Sequence, residues 1–349
     1  MKAKRTLGQR FWQGITKRVS GAGALLAKVW AHKQGKVGLI MVSFLVLVAI
    51  FAPSIAPYDP YDVSQRAAKG LPPSREHLLG TTINTGQDIF SMLIYGTRVS
   101  LIVGVTSGAC IAFVGSILGV AAGYLGGAVD TLLMRLVDIM LVIPTLPLVI
   151  VLTNVLGRDF WIIILIFVAL GWTGLARTIR SLVLVLKNSN YVKAAELAGA
   201  SRWHIMTRHI LPGTSHLLIM STALSSAGIM VAEAGLSFLG LGDPTAISWG
   251  KMLAEAQSGG ALLFGAWWWI LAPGLGIFLA VFGFMRLGLV LEEIANPRMK
   301  RTSSVYKLFK SLDSSYVEEV FRSMDDYQKI GAAEVASGGG QHYGTGLEA

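Results

Sequence analysis

The sequence holds one cysteine, Cys110, in 349 residues. That excludes a disulfide framework within the chain and any metal cluster built on cysteine, and its place in an apolar run marks Cys110 as inert packing. Charge is also scarce. Asp, Glu, Lys and Arg make up 14% of the residues, against roughly 25% in an ordinary soluble domain. Twenty acidic and thirty basic side chains are too few to cover water-soluble domains of this length. The six histidines, His32, His77, His204, His209, His216 and His342, are scattered. His204 and His209 stand five apart, which on an α-helix puts them on different faces, unlike the i, i+4 pair of a zinc site. No G-x-x-x-x-G-K-[ST] loop occurs, so any ATP that drives this protein binds to another chain. Gly240-Leu241-Gly242 lacks the preceding strand and third glycine of a dinucleotide fingerprint. With no nucleophile, base and stabiliser in one constellation, no catalytic residue, bound cofactor or metal is expected, and the chain reads as a non-enzyme.

What is present is apolar: 53% hydrophobic residues and a mean hydropathy of +0.59. The apolar residues run continuously instead of alternating, which indicates membrane-spanning helices and not a β-barrel. Forty glycines are about 11% of the chain, where roughly 7% is usual, and suit helices packed closely in lipid. The fold class is therefore all-α and polytopic. The net charge of +10 lies at the helix flanks, so a lipid bilayer, not nucleic acid, is the expected partner of the basic residues.

Residues 1–36 carry nine Lys or Arg and no acid, a basic cytoplasmic segment ahead of the first span at 37–57. The run is too long for the apolar stretch of a cleaved signal peptide. Residues 58–96, with Pro60, Pro72 and Pro73, read as an external loop. Within 97–293, five further spans are expected: Val99 to Val129 with a stripe of glycines, Asp130 to Leu156 kinked by Pro144 and Pro147, Phe160 to Leu186, Pro212 to Ala232, and Leu262 to Met285. The basic cluster of Arg177, Arg180, Lys187, Lys193, Arg202 and Arg208 places the segment 188–212 inside, in agreement with the count of crossings, and both termini come out cytoplasmic. Residues 294–349 read as a cytoplasmic tail, a short amphipathic helix followed by disorder. Three charges in or beside spans are candidate structural or pathway groups. Arg135 and Asp138, three apart, form a local helix ion pair; Glu233, at the outer end of the fifth span, faces either a subunit interface or the solute.

The segment from Tyr191 to Pro212 is the most informative. A short helix containing Ala194, Ala195 and Glu196 ends at Gly199; Ala200 and Ser201 follow, with Ser201 able to cap the next helix, and Leu211-Pro212 opens a span. Such an elbow, with little side chain in the way, suits docking into a groove of a soluble partner and mechanical coupling to the spans on either side.

At these residues the chain resembles the ABC importer permeases, whose coupling loop reads E-A-A, three residues, G, nine residues, I-x-L-P. Ala194, Ala195, Gly199, Leu211 and Pro212 fall on the pattern; Lys193 replaces its Glu and His209 its Ile. Further stretches resemble the dipeptide/oligopeptide branch: Pro57-Tyr58-Asp59-Pro60, His77 to Thr81, Tyr95 to Leu101, Leu236 to Gly242, Ser248-Trp249-Gly250 and Asn296-Pro297-Arg298. Together they span residues 37–299. The resemblance implies the type I permease fold and one of two homologous membrane subunits working by alternating access. It also implies two ATPase subunits that bind ATP and magnesium inside, an external solute-binding protein, and a location in the plasma or inner membrane of the cell. Thr82, Gln87 and Met92 depart from the branch pattern, which keeps oligosaccharides and nickel beside peptides as solutes. A secondary transporter, the reading from another class, should show inverted repeats and mid-membrane carboxylates, and neither is evident.

Overall fold

In the computed structural model, which describes residues 23–295 apart from 24, 63, 65 and 66, the regular structure is helical, as the unbroken apolar runs dictate. The basic head up to residue 22 and the tail from 296 lie outside the described residues. The long elements are α1 (Lys33–Ile50), α3 (Ile89–Leu125), α6 (Phe160–Lys187), α9 (Leu211–Phe238) and α11 (Trp267–Ala295). Between them lie α2 (Ala52–Ile55), α4 (Gly127–Val142), α5 (Thr145–Leu156), α7 (Asn190–Leu197), α8 (Arg202–Ile205) and α10 (Trp249–Ser258). Five helices among the described residues are long and apolar enough to cross a membrane, and α4 with α5 makes a sixth if the bent pair counts as one span. The two halves of that pair meet at 91°, where Pro144 follows Ile143 and no helical turn can carry through.

The second span begins at Ile89, ten residues earlier than its apolar run suggests. Asp88 is the reason: its carboxylate accepts from the Ser91 backbone N–H at 2.8 Å and from the Ser91 hydroxyl at 2.7 Å, capping the helix. The loop ahead of it is tied to the same point. His77 Nδ1 lies 2.9 Å from the Asp88 carboxylate, with both side chains buried, and Tyr58 stacks on the His77 ring. Gln87 Nε2 donates to the Pro60 carbonyl at 2.8 Å, and the Thr81 hydroxyl donates to that of Ala68 at 2.7 Å. A polar loop thus closes on itself over one end of the bundle.

Helix α3 is the axis of the packing, lying chiefly against α6 and α9. Its glycine stripe meets these partners in turn. A side chain at Gly104 or Gly108 would run into Met230 and Ser226 of α9, whereas one at Gly115, Gly119 or Gly123 would meet the backbone of α6. The opposite faces remain apolar and open, with Phe113 61%, Leu165 64% and Val185 70% exposed, as expected of helices surrounded by hydrocarbon. Cys110, expected to be packed, is on this exposed face; a small apolar side chain there costs nothing in lipid.

The fifth span does not open at Pro212. Helical structure runs without a gap from Arg202 to Phe238, through α8, a π-helical turn at Met206–Ile210 and α9. Pro212 has no N–H to continue an α-helical ladder, and a wider i→i−5 turn directly before it, with Leu211 N–H bonding to the Met206 carbonyl, relieves the clash.

Candidate functional site

The elbow at residues 188–212 is built by two local caps. Helix α7 ends in a paired motif in which Gly199 N–H bonds to the Glu196 carbonyl at 3.0 Å and Ala200 N–H to that of Ala195 at 3.1 Å. This closure puts its pivot residue in the left-handed region, and Gly199 has φ +78°. Two residues on, the Ser201 hydroxyl accepts from His204 N–H at 3.3 Å and caps α8. The inner face of the elbow is apolar. Val192, Ile205 and Ile210 are buried against Val120 and Tyr124 of α3 and Ile179 and Val183 of α6, with Ala195, Ala200 and Leu211 half-buried around them.

Its outer face is open. Ala194, Glu196, Gly199, Ser201 and Pro212 are exposed, while Leu197 is 91% and Trp203 72% exposed at the tip. Burying one such side chain would contribute about 1.5–3 kcal/mol. The eight residues singled out in this segment fall on both faces, with Ala195, Ala200 and Leu211 half-buried and the other five exposed.

The histidines differ from expectation. The π turn adds one residue to the helical repeat, so positions five apart come into register, and the rings of His204 and His209 lie 5.9 Å apart with Tyr191 beside His209. Among the described residues no three metal-ligating side chains converge.

The charges also differ. Asp138 pairs with Arg177 of α6 and not with Arg135, which is exposed and makes no ion pair among the described residues. Eight positions N-terminal to Asp138, the Asp130 carboxylate takes Arg180 in a two-point contact at 2.5 and 2.7 Å. Helix packing decides both pairs: the α4–α6 approach offers each Asp an Arg across the gap, and for Asp138 this Arg takes the place of the i, i+3 neighbour Arg135. Glu233 turns inward within its own chain. It is 4% exposed inside this chain and accepts from the Ser237 hydroxyl at 2.7 Å, because α9 continues past it to Phe238.

At the opposite end of the bundle, Asp243 joins the turn after α9 to the start of α6. Its carboxylate accepts from Phe160 N–H at 3.1 Å and from Thr245 N–H and hydroxyl at 2.7 and 2.6 Å. Burial pushes this carboxyl up, but the donors from Thr245, Phe160 and Ala246 outweigh it and hold Asp243 below the usual carboxylate range. A depressed folded value stabilises the fold above the unfolded value, and that stabilisation is lost as pH falls through the folded one. The detergent-solubilised chain should lose thermal midpoint below about pH 4. Asp243→Asn should start lower at neutral pH and change less over the same interval; equal acid sensitivity in both proteins would remove Asp243 as the cause.

The departures from the branch pattern are structural in their surroundings. Thr82 and Gln87 bond to each other and, through Gln87, to Pro60 within the loop, and Met92 is fully buried in the main core. Sequence reasoning did not single out Asp130, Tyr124 or Asp243, whose partners lie 50, 72 and 83 positions away. Only the Gly126-Gly127 turn just after Tyr124 and just before Asp130 signalled that a helix junction lay near the first two.

Residues 115–301 match the family model described as binding-protein-dependent transport system inner membrane component, and residues 27–73 match that of the N-terminal transmembrane domain of oligopeptide transport permease C. A dipeptide transport system permease of Bacillus subtilis is 34% identical over 271 residues, covering 77% of this chain and 83% of the relative. An oligopeptide transport system permease of the same organism is 34% identical over 272 residues, 78% of this chain and 88% of the relative. A di/tripeptide transport system permease of Pseudomonas aeruginosa is 34% identical over 282 residues, 78% of this chain and 91% of the relative.

Proposed function

Since this chain belongs to the binding-protein-dependent transport system inner membrane components, we propose that it is one of two homologous permease subunits of an ATP-driven importer of di- and oligopeptides. The observation that carries this reading is the capped elbow, folded against the ends of α3 and α6 with an apolar tip exposed. In the proposed complex the elbow faces the cytoplasm and seats Ala194, Ala195, Glu196, Gly199, Ala200 and Ser201 in a groove of an ATPase subunit, with Leu211 and Pro212 passing the motion into α9. Two such ATPases bind ATP and magnesium; this chain binds neither and breaks no bond. An external binding protein delivers the solute to a cavity shared with the second permease.

ATP-driven closure of the ATPases pushes the elbow, and α3, α6 and α9 reorient as packed bodies, since their contacts are interlocked instead of deformable. The peptide assignment draws on the three relatives above, each of which is named for di-, tri- or oligopeptides. The loop departures at Thr82, Gln87 and Met92 no longer argue against it, because their side chains serve the loop and the core.

The test is reconstitution into proteoliposomes of the complex co-purified with this chain, offered labelled di- and oligopeptides, an oligosaccharide and nickel with the cognate binding protein. Peptide uptake that requires ATP on the elbow side and binding protein on the other is expected. Isolation of this chain alone or only as a homo-oligomer from cross-linked membranes would defeat the importer reading, and uptake of only the sugar or metal would defeat the peptide assignment.

A further inference from the structure

Three elements converge on one side chain at the elbow end of the bundle. Tyr124 is the penultimate residue of α3, one residue short of the Gly126-Gly127 turn, and it is 4% exposed. Its hydroxyl donates to Glu196 Oε1 of α7 at 3.2 Å. Its backbone carbonyl, among the last four of the helix and so without a partner in the α-helical ladder, accepts from Lys187 Nζ at 2.8 Å. Lys187 is the last residue of α6, and its ammonium stands 5.4 Å from the Tyr124 ring centre. A cation at this position also complements the negative end of the α3 dipole. The apolar body of Tyr124 packs in the same cluster as Val192 of the elbow.

We propose that Tyr124 is the positioning residue through which the elbow grips α3 and α6, so that a push on α7 is delivered to both spans together. This rests on the coupling role of the elbow proposed above. On α7 the apolar contact to this cluster rests on Val192, with Ala195 half-buried beside it, and so small a packed face holds α7 less firmly than a hydrogen bond of fixed direction does. Among the described residues the Tyr124–Glu196 bond is the directional side-chain contact from α7 to α3, and it sits three residues before the Gly199 pivot. Without it, part of the elbow's movement is spent in slippage and ATP is hydrolysed without a completed transport cycle.

The experiment compares ATP hydrolysed per peptide imported in proteoliposomes of the intact complex. Tyr124→Phe keeps the ring, its packing and the Lys187 contacts and removes only the hydroxyl. It should raise the ratio by about two- to tenfold, the range one hydrogen bond carries, with complex assembly unchanged. Glu196→Ala should do the same. The double variant Tyr124→Phe/Glu196→Ala should be no worse than the worse single, since both remove one contact. A role confined to folding lowers hydrolysis and uptake together and leaves the ratio untouched.

An unchanged ratio in Tyr124→Phe, or effects that multiply in the double variant, would overturn the proposal. If Tyr124→Phe should fail to assemble, the ratio in Glu196→Ala decides it, and an unchanged ratio there overturns the proposal. Failure of the underlying reading looks different: a bulky substitution at Gly199 would then leave uptake intact, whereas loss of uptake at Gly199 with a normal ratio in Tyr124→Phe removes only the role of Tyr124.

Discussion

Leucine in place of Gly119 is expected to leave little or no folded chain in the membrane. A Cβ at this position would lie 2.6 Å from the Ala176 carbonyl oxygen and 2.8 Å from Ile179 Cβ. The first of these is backbone, so no rotamer change relieves it; α3 and α6 must move apart. That pair is the most extensive helix contact among the described residues, and helix association in lipid relies on close van der Waals packing where water supplies no hydrophobic drive. Separation also strains the Lys187 contact to α3 and the two Asp–Arg pairs between α4 and α6. Overpacking of this kind costs typically about 1–3 kcal/mol in soluble cores; with backbone on the opposing side, at least about 3 kcal/mol is expected, a large part of a marginal stability. Gly119→Ala should be milder but still clearly destabilised. The check is membrane abundance and thermal midpoint in detergent, with Gly174→Ala as control, since a Cβ there meets nothing within 4 Å. Equal midpoints for Gly119→Leu and wild type would show that α3 and α6 do not approach as described.

Substitution of Gly199 by leucine acts on transport while leaving the chain folded. The residue has φ +78°, and a Cβ built on it meets nothing within 4 Å. The intramolecular cost is therefore conformational alone, about 1–2 kcal/mol for a side chain forced into the left-handed region. Elsewhere the effect is larger. Gly199 is exposed between Leu197 and Ser201 at the tip of the elbow, so a leucyl group there stands where a partner's groove would close. Peptide uptake is expected to fall at least about tenfold, equivalent to about 1.4 kcal/mol or more at the contact, with normal abundance of the membrane protein. Gly199→Asn separates the two causes, since asparagine tolerates the left-handed conformation but still projects a side chain. If backbone geometry is what matters, Asn restores uptake; if space at the contact is what matters, it does not. Wild-type uptake in Gly199→Leu would end the assignment of the elbow as the coupling element.

The sequence by itself determined the features that depend only on neighbours along the chain. The number of apolar runs sets the number of spans because every backbone group in hydrocarbon must bond within its own helix. The break after Val142 follows from Pro144, and the elbow follows from Gly199 and Ser201, whose capping bonds reach no farther than five residues. Tertiary structure alone decided which helix faces which. Two Asp–Arg pairs between α4 and α6, the burial of Glu233 and the Tyr124 junction depend on register between helices far apart in sequence. That register is set by how closely the glycine stripe of α3 lets α6 and α9 approach. The π turn before Pro212, which realigns His204 with His209, sits between these cases: its cause is one proline, but its place is fixed where the elbow's buried residues hold the helix against α3 and α6. Local bonds are written in adjacent residues, whereas interhelical register is a balance of many weak contacts along whole faces, which no short stretch of sequence contains.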